Sequence, residues 1–295
     1  MTKYFVFFAL LSWTISCNQN NGKKLQTNIV EKKTEIRFYS KSISDSISIF
    51  VNLPNDYNPQ QKEKYPVVYL LDANLYFDIV ATVINKYSEV GLAPSVILVG
   101  IGYKDFPTMD SLRNRDYTYP VAIPEYKMAI SGGADKFLNC ITSELIPFID
   151  KGYNTDTLKR VLAGHSLGGY FSAYALLQDL LGKNNNFSGY ISASPSIHYN
   201  RYYLLNQFKE TPQKIGQTKK IKAYFTFGGL EEEENATDSS MIKQSSVSEQ
   251  LSKQLAVKQS SYLIYKSDIF SNLGHMETQI PTFIKGLQWT LSEDK

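Results

Sequence analysis

Cysteine is almost missing from this chain. Two stand among 295 residues, Cys17 and Cys140, and that count excludes a disulfide framework. Histidine is nearly as scarce, with only His165, His198 and His275, so a histidine base must be one of three residues. No apolar run approaches the ~20 residues of a bilayer-spanning helix; the longest is Tyr4 to Leu11. Nor does charge of one sign dominate. Lys and Arg number 31 against 28 Asp and Glu, a formal balance of +3, without the concentrated basic face that marks a nucleic-acid binder. No internal repeat is visible.

What is present is enough apolar material for one large core: 43% hydrophobic and 13% aromatic residues, a size and content that fit a single domain. The first 17 residues read as an export signal: Lys3, then Tyr4 to Leu11, then small residues from Ser12 to Ser16 before Cys17. Residues 14–17 resemble a bacterial lipobox, in which Cys17 would be the lipidated residue; Thr14 departs from the usual leucine, which favours cleavage over lipidation. The polar run Asn18 to Lys24 begins a tether over 18–32, and the folded domain is expected over 33–295. Those expectations describe a protein of the cell envelope, held to a membrane through Cys17 if lipidated and otherwise secreted. Cys140 falls within an apolar helical pattern, Phe137, Cys140, Ile141, Leu145 and Ile146, and reads as core packing.

Glu35 to Ser40 and Ser44 to Leu53 alternate apolar and polar residues around a serine-rich turn, which predicts an antiparallel pair. The period then changes. Continuous apolar runs at Val67 to Leu71, Val96 to Ile101, Val161 to Ala163, Tyr190 to Ala193, Ala223 to Phe227 and Tyr262 to Tyr265 predict strands covered on both faces. Helical patterns at Ala134 to Ile149, Gly168 to Leu180, Ile242 to Leu255 and Pro281 to Leu291 lie between them, so the fold class is α/β with a mostly parallel central sheet and helices on both sides. Phe106 to Ser131 and Leu230 to Ser240 interrupt the rhythm and are read as loops walling a crevice at the carboxyl ends of the strands. Gly132 and Gly133 mark a turn into the next helix.

The sharpest motif is Gly164-His165-Ser166-Leu167-Gly168, with Gly169 after it. It follows a predicted strand and opens an Ala/Leu-rich helix, the context of a nucleophile elbow. A serine at its free pKa needs a base. His165 lies inside the elbow and is expected to point elsewhere. His275 follows the last predicted strand across a turn containing Gly274, where the order Ser, acid, His of an α/β-hydrolase fold places the base. His198 stands after the strand ending at Ala193, near the cleft mouth, as a candidate substrate contact. The acid is sought after Ala223 to Phe227, where Glu231, Glu232, Glu233, Glu234 and Asp238 compete. Reach from the Gly228-Gly229 turn favours Glu231, with Glu232 and Glu233 as alternatives. An oxyanion formed on acyl attack needs backbone donors; the Leu167 N–H is one, and the Asn74 N–H, after the strand Val67 to Leu71, is chosen as the other.

Beyond these residues, the segments YPVVYLLDAN (65–74), VGIGY (99–103), RDYT (115–118), SGGADKFLNCITSELIPFID (131–150), AGHSLGG (163–169), SASPSI (192–197), FGGLE (227–231) and GH (274–275) resemble the Putative esterase family of α/β-hydrolases. That family includes enterochelin esterases, S-formylglutathione hydrolases (esterase D) and antigen 85 mycolyltransferases. RDYT and GGADKF are most similar to the siderophore-esterase branch. The resemblance implies an α/β-hydrolase fold, with Ser166 as nucleophile, His275 as base, Glu231 as acid and the Asn74 and Leu167 amides as oxyanion donors. Ala73 stands where relatives often carry Gly, and His198 where they often carry Trp.

The expected activity is carboxylic-ester hydrolysis through an acyl-enzyme, without metal or organic cofactor. The substrate would be a small-molecule or carbohydrate ester, a siderophore lactone or an acyl or feruloyl decoration, with Arg115 and Tyr117, beside Arg113 and Tyr119, as candidate contacts for an anionic aromatic ligand. Nucleic acid is not an expected partner. Two rival readings use the same scaffold: a non-catalytic module holding a siderophore or glycan, and an acyltransferase whose second step is won by an alcohol instead of water.

Overall fold

A computed structural model describes residues 33–212, 219–231, 244–258 and 262–292. The export signal, Cys17 and the tether lie outside the described residues, as do Glu232, Glu233, Glu234 and Asp238.

Eight strands form one sheet: β1 (Lys33–Ser40), β2 (Asp45–Asn52), β3 (Tyr65–Leu70), β4 (Ile97–Gly102), β5 (Thr155–His165), β6 (Gly189–Ala193), β7 (Ile221–Gly228) and β8 (Leu263–Phe270). Their spatial order is β1-β2-β4-β3-β5-β6-β7-β8. β1 and β2 pair antiparallel, β2 meets β4 antiparallel, and every pair from β4 onward is parallel. The exchange of β3 and β4 follows from crossovers of one hand, which return each strand beside an earlier one.

The unbroken apolar runs have a direct cause. Along β3 and the residue after it, Val67, Tyr69 and Leu71 pack into one core while Val68 and Leu70 pack into the other. Along β4, Ile97, Val99 and Ile101 join the first and Leu98 the second. Side chains alternate across a strand, so a strand with helices on both faces has no position left for polar residues.

Helix α1 (Ala73–Glu89) covers the second face through Tyr76, Phe77, Val80, Ala81 and Ile84, together with α8 (Gln279–Thr290), which contributes Phe283 and Leu287. The larger face carries α3 (Ala134–Asn139) and α4 (Ile146–Gly152), joined by a π-helical segment Cys140–Leu145. It also carries α5 (Leu167–Leu180) and α6 (Tyr199–Glu210), and α7 (Gln244–Lys258) packs there through Val247, Leu251 and Leu255. Cys140 is fully buried, and burial pushes its thiol up to about 12, which keeps it protonated and unreactive.

Helices α1, α6 and α2 (Phe106–Tyr117) stand where the sequence reading has none. Phe106 to Ser131 reads as a loop, yet its first part is α2. The Asp105 carboxylate caps it, accepting from the Thr108 N–H at 2.9 Å, with Pro107 in the first turn. Helix caps of this kind are worth ~1 kcal/mol. Only Met109, Asp116 and Tyr117 of α2 are buried, so the segment shows no apolar stripe from which a helix could be read.

Candidate active site

β5 ends at His165 and α5 starts at Leu167, which leaves one residue, Ser166, to reverse the chain. Its backbone sits at φ 59°, ψ −119°, a conformation an L-residue holds only when its surroundings over-determine it. The glycines around it are required by contact. A Cβ on Gly164 would stand 2.3 Å from the Gly168 carbonyl group, and one on Gly169 would stand 2.9 Å from Ala193 O. The Ser166 amide donates to Ala193 O at 3.0 Å, and its carbonyl accepts from Tyr170 N at 2.8 Å. The hydroxyl is thereby held out over the carboxyl edge of the sheet.

His275 arrives from the turn after β8. The Gly274 amide donates to Glu277 Oε2 at 2.7 Å, and the Glu277 amide donates back to Gly274 O at 3.2 Å, fixing the short helical turn His275–Glu277. This loop is joined to the one after β7. Gly229 N donates to Phe270 O at 2.9 Å and Leu230 N to Leu273 O at 3.1 Å. A Cβ on Gly228 would lie 2.5 Å from Leu273 O, and one on Gly229 2.6 Å from Ser271 O. The Gly228-Gly229 pair therefore allows the two loops to lie backbone to backbone.

The result is a continuous chain of hydrogen bonds. His275 Nε2 stands 3.0 Å from Ser166 Oγ, and His275 Nδ1 stands 3.1 Å from Glu231 Oε2. Glu231 is buried, and its Oε1 accepts from Ser194 Oγ and from the Gly228 amide, each at 2.6 Å. Ser194 Oγ is in turn 2.7 Å from Thr278 Oγ1. Burial works against the Glu231 carboxylate. The bonds from His275, Ser194 and Gly228 outweigh it and hold the carboxyl below its ordinary 4.5.

The two amides expected to face an oxyanion both open helices. In α1 the first hydrogen-bonded amides are Leu75 and Tyr76, both onto Asp72 O, which leaves the Asn74 N–H ahead of the ladder. Its side chain is committed elsewhere, with Nδ2 donating to Tyr103 O and Oδ1 accepting from Tyr103 N, each at 2.8 Å. Leu167 is the first residue of α5. Below them a buried ion pair ties the parts together. Arg113 donates from Nε and Nη2 to the two Asp72 carboxylate oxygens at 3.0 and 2.9 Å, and Asp72 Oδ2 is what a Cβ on Gly168 would strike.

The sequence reading sets Arg115 and Tyr117 at the substrate; in the structure both side chains are engaged within the protein. Tyr117 is fully buried under α2, its hydroxyl accepting from the Asp72 amide at 3.3 Å. Arg115 spends its guanidinium on Asp116, at 2.8 and 3.1 Å, and on Asp45, at 3.0 Å. Arg113 and Tyr119 are likewise occupied, Arg113 with Asp72 and Tyr119 in packing against the rings of Tyr174 and Tyr203.

His198 lies at the start of α6, partly buried, with its ring stacked on Tyr126 at 6.5 Å between centroids. Burial holds it below its ordinary 6.5, with the neighbouring His275 adding to the effect. The Tyr126 hydroxyl donates to His198 O at 2.8 Å, and Asn200 clasps the same loop, accepting from Ile123 N at 3.0 Å and donating to Val121 O at 2.8 Å. Asn200, Arg201 and Tyr202 are all left-handed, which kinks the chain shortly after His198.

Sequence reasoning did not find Ser194, Ser196 or Thr278. Ser196 Oγ stands 3.3 Å from Ser166 Oγ. Small hydroxyl residues after a strand carry no periodic signal, so only the fold identifies them.

The chain is similar to several known proteins. The family model described as Putative esterase matches residues 40–284. A ferri-bacillibactin esterase, BesA, of Bacillus subtilis is 32% identical over 277 residues, covering 88% of this chain and 90% of that protein. An apo-salmochelin esterase of Escherichia coli is 28% identical over 211 residues, covering 65% of this chain and 63% of that protein. Among solved structures, the BES protein from Bacillus cereus superposes with a TM-score of 0.76 at 25% identity, covering 96% of this chain and all of that one.

Proposed function

This chain belongs to the Putative esterase family and is a carboxylic-ester hydrolase, and on that premise we propose that it opens the ester bonds of a siderophore through an acyl-enzyme on Ser166. The observation that carries the reading is the hydrogen-bonded series from Ser166 Oγ through His275 to Glu231, joined to the names of its relatives, which are esterases of ferri-bacillibactin and of apo-salmochelin.

The steps follow from the geometry. Ser166 Oγ attacks the ester carbonyl carbon as His275 Nε2 takes the hydroxyl proton. Glu231 fixes the tautomer with the proton on Nδ1 and balances the imidazolium that forms. Negative charge gathers on the former carbonyl oxygen, where the Leu167 and Asn74 amides donate; losing one such donor costs about 10²- to 10³-fold in rate. The tetrahedral intermediate collapses, the C–O bond to the alcohol breaks, and His275 returns its proton to the departing oxygen. Water then attacks the acyl-enzyme with His275 again as base, releasing the acid and restoring Ser166. Each step uses side chains and amides of this chain.

Replacing Ser166 with Ala tests the reading. Turnover of p-nitrophenyl acetate and of a catecholate trilactone falls to background in a protein that keeps its melting temperature, and turnover at the wild-type level refutes it. The lipobox-like residues 14–17 support a place in the cell envelope with lipid on Cys17. An alkyne-palmitate label that Cys17→Ser abolishes is the expected result, and a label that survives that change contradicts it.

A further inference from the structure

The residue before the nucleophile is buried, only 1% exposed, and both of its ring nitrogens are engaged. His165 Nε2 lies 2.8 Å from the main-chain oxygen of His275, and Nδ1 lies 3.0 Å from the Tyr76 hydroxyl. A carbonyl oxygen can only accept, so the proton is on Nε2 and Nδ1 accepts from Tyr76. The rings of His165 and His275 sit 4.8 Å apart between centroids. Tyr76 follows Asn74 by two residues on α1. One imidazole thus joins the helix that opens with an oxyanion amide to the loop that carries the base.

We propose that His165 is a positioning residue: donating from Nε2 to the His275 carbonyl and steadied at Nδ1 by the Tyr76 hydroxyl, it holds the His275 main chain so that His275 Nε2 stays within hydrogen-bonding reach of Ser166 Oγ. The inference rests on the reading of Ser166 and His275 as nucleophile and base. Three facts on the molecule carry it. The bond is made to the backbone of the base itself, where a displacement passes directly to the imidazole. A second hydrogen bond to that oxygen, from Thr278 Oγ1, is longer at 3.3 Å. And His165 is fixed at its own end, because it closes β5 and its carbonyl lies 3.5 Å from Arg113 Nη2, part of the Asp72 ion pair. The charged and titratable groups facing the imidazole are Tyr76, Arg113, His275 and Glu231. Burial first, and then His275, draws His165 down to about 4, with the bond to the His275 carbonyl acting the other way. It therefore stays an uncharged donor at neutral pH.

The experiment compares His165→Phe, His165→Gln and Tyr76→Phe by kcat, KM and the rate of Ser166 labelling by a fluorophosphonate. Misplacing a catalytic group by about 1 Å costs on the order of 10²-fold. His165→Phe is expected to lose about that much in kcat and labelling rate with KM unchanged. His165→Gln, which keeps an N–H near Nε2, recovers most of the loss, and Tyr76→Phe, which removes the anchor of the ring at Nδ1, falls between. A folded His165→Phe with wild-type kcat overturns the inference, as does a His165→Gln as impaired as His165→Phe. If His165→Phe does not fold, a Tyr76→Phe enzyme with undiminished kcat overturns it. Failure of the underlying reading has a different signature: Ser166→Ala or His275→Ala would then keep turnover.

Discussion

Glu231 faces His275 because of its distance along the chain from β7 and because of what its other oxygen does. Three residues after Gly228, its Oε1 receives the Gly228 amide and the Ser194 hydroxyl, which leaves Oε2 for the imidazole. A carboxylate receiving that many donors is held ionised. Ser194→Ala removes one donor, so the Glu231 carboxyl rises from its depressed position. The pH–rate profile of the variant should lose activity on the acid side at a higher pH than the wild type, with kcat reduced several-fold; an acid limb that stays in place or moves down would contradict this role. The same residues show how far the sequence could be read. Ser166 and His275 were legible because the elbow motif and the shortage of histidine left few choices. Glu231 was a choice among neighbours that reach alone could rank. For Arg115 and Tyr117 the motif records residue types and not the direction in which a helix turns them; α2 points Tyr117 into the core and Arg115 toward Asp116 and Asp45.

Among the elements, strands were legible and three helices, α1, α2 and α6, were not. β3 and β4 announce themselves as apolar runs because both faces are covered. α1 has a readable stripe, Tyr76, Phe77, Val80, Ala81 and Ile84, but its opening residues follow the strand so closely that they read as a loop. α2 has no stripe to read. The junction between the loops after β7 and β8 depends on glycine at 228 and 229 in a way that sequence marks only as a turn. Gly228→Ala introduces a methyl 2.5 Å from Leu273 O, and overpacking of this kind costs ~1–3 kcal/mol. The variant should melt earlier and lose most of its turnover, since the clash parts the loop of the acid from the loop of the base. A Gly228→Ala enzyme that has lost stability but keeps full kcat would show that the junction is structural only.

At the scale of the whole molecule, a buried neutral histidine makes stability depend on pH. His165 titrates at its ordinary 6.5 when unfolded and at about 4 when folded. Between those values the unfolded chain binds a proton that the folded chain refuses. The stabilisation is therefore complete above 6.5 and is lost as the pH falls toward 4, by about 3 kcal/mol in all. Urea midpoints measured across that window should decline more steeply for the wild type than for His165→Gln; equal slopes would mean that the imidazole is not held neutral. The parallel sheet, the elbow and the two clasped loops all serve to bring residues distant in the chain to one point above the carboxyl edge of β5.

The most direct test of that arrangement is rapid-quench mass spectrometry of the protein mixed with a catecholate trilactone. The account predicts an acyl adduct on the peptide containing Ser166, formed and consumed as the linear product accumulates, and neither adduct nor product with Ser166→Ala. Product formed at the wild-type rate by Ser166→Ala, or an adduct on a different residue, would contradict it.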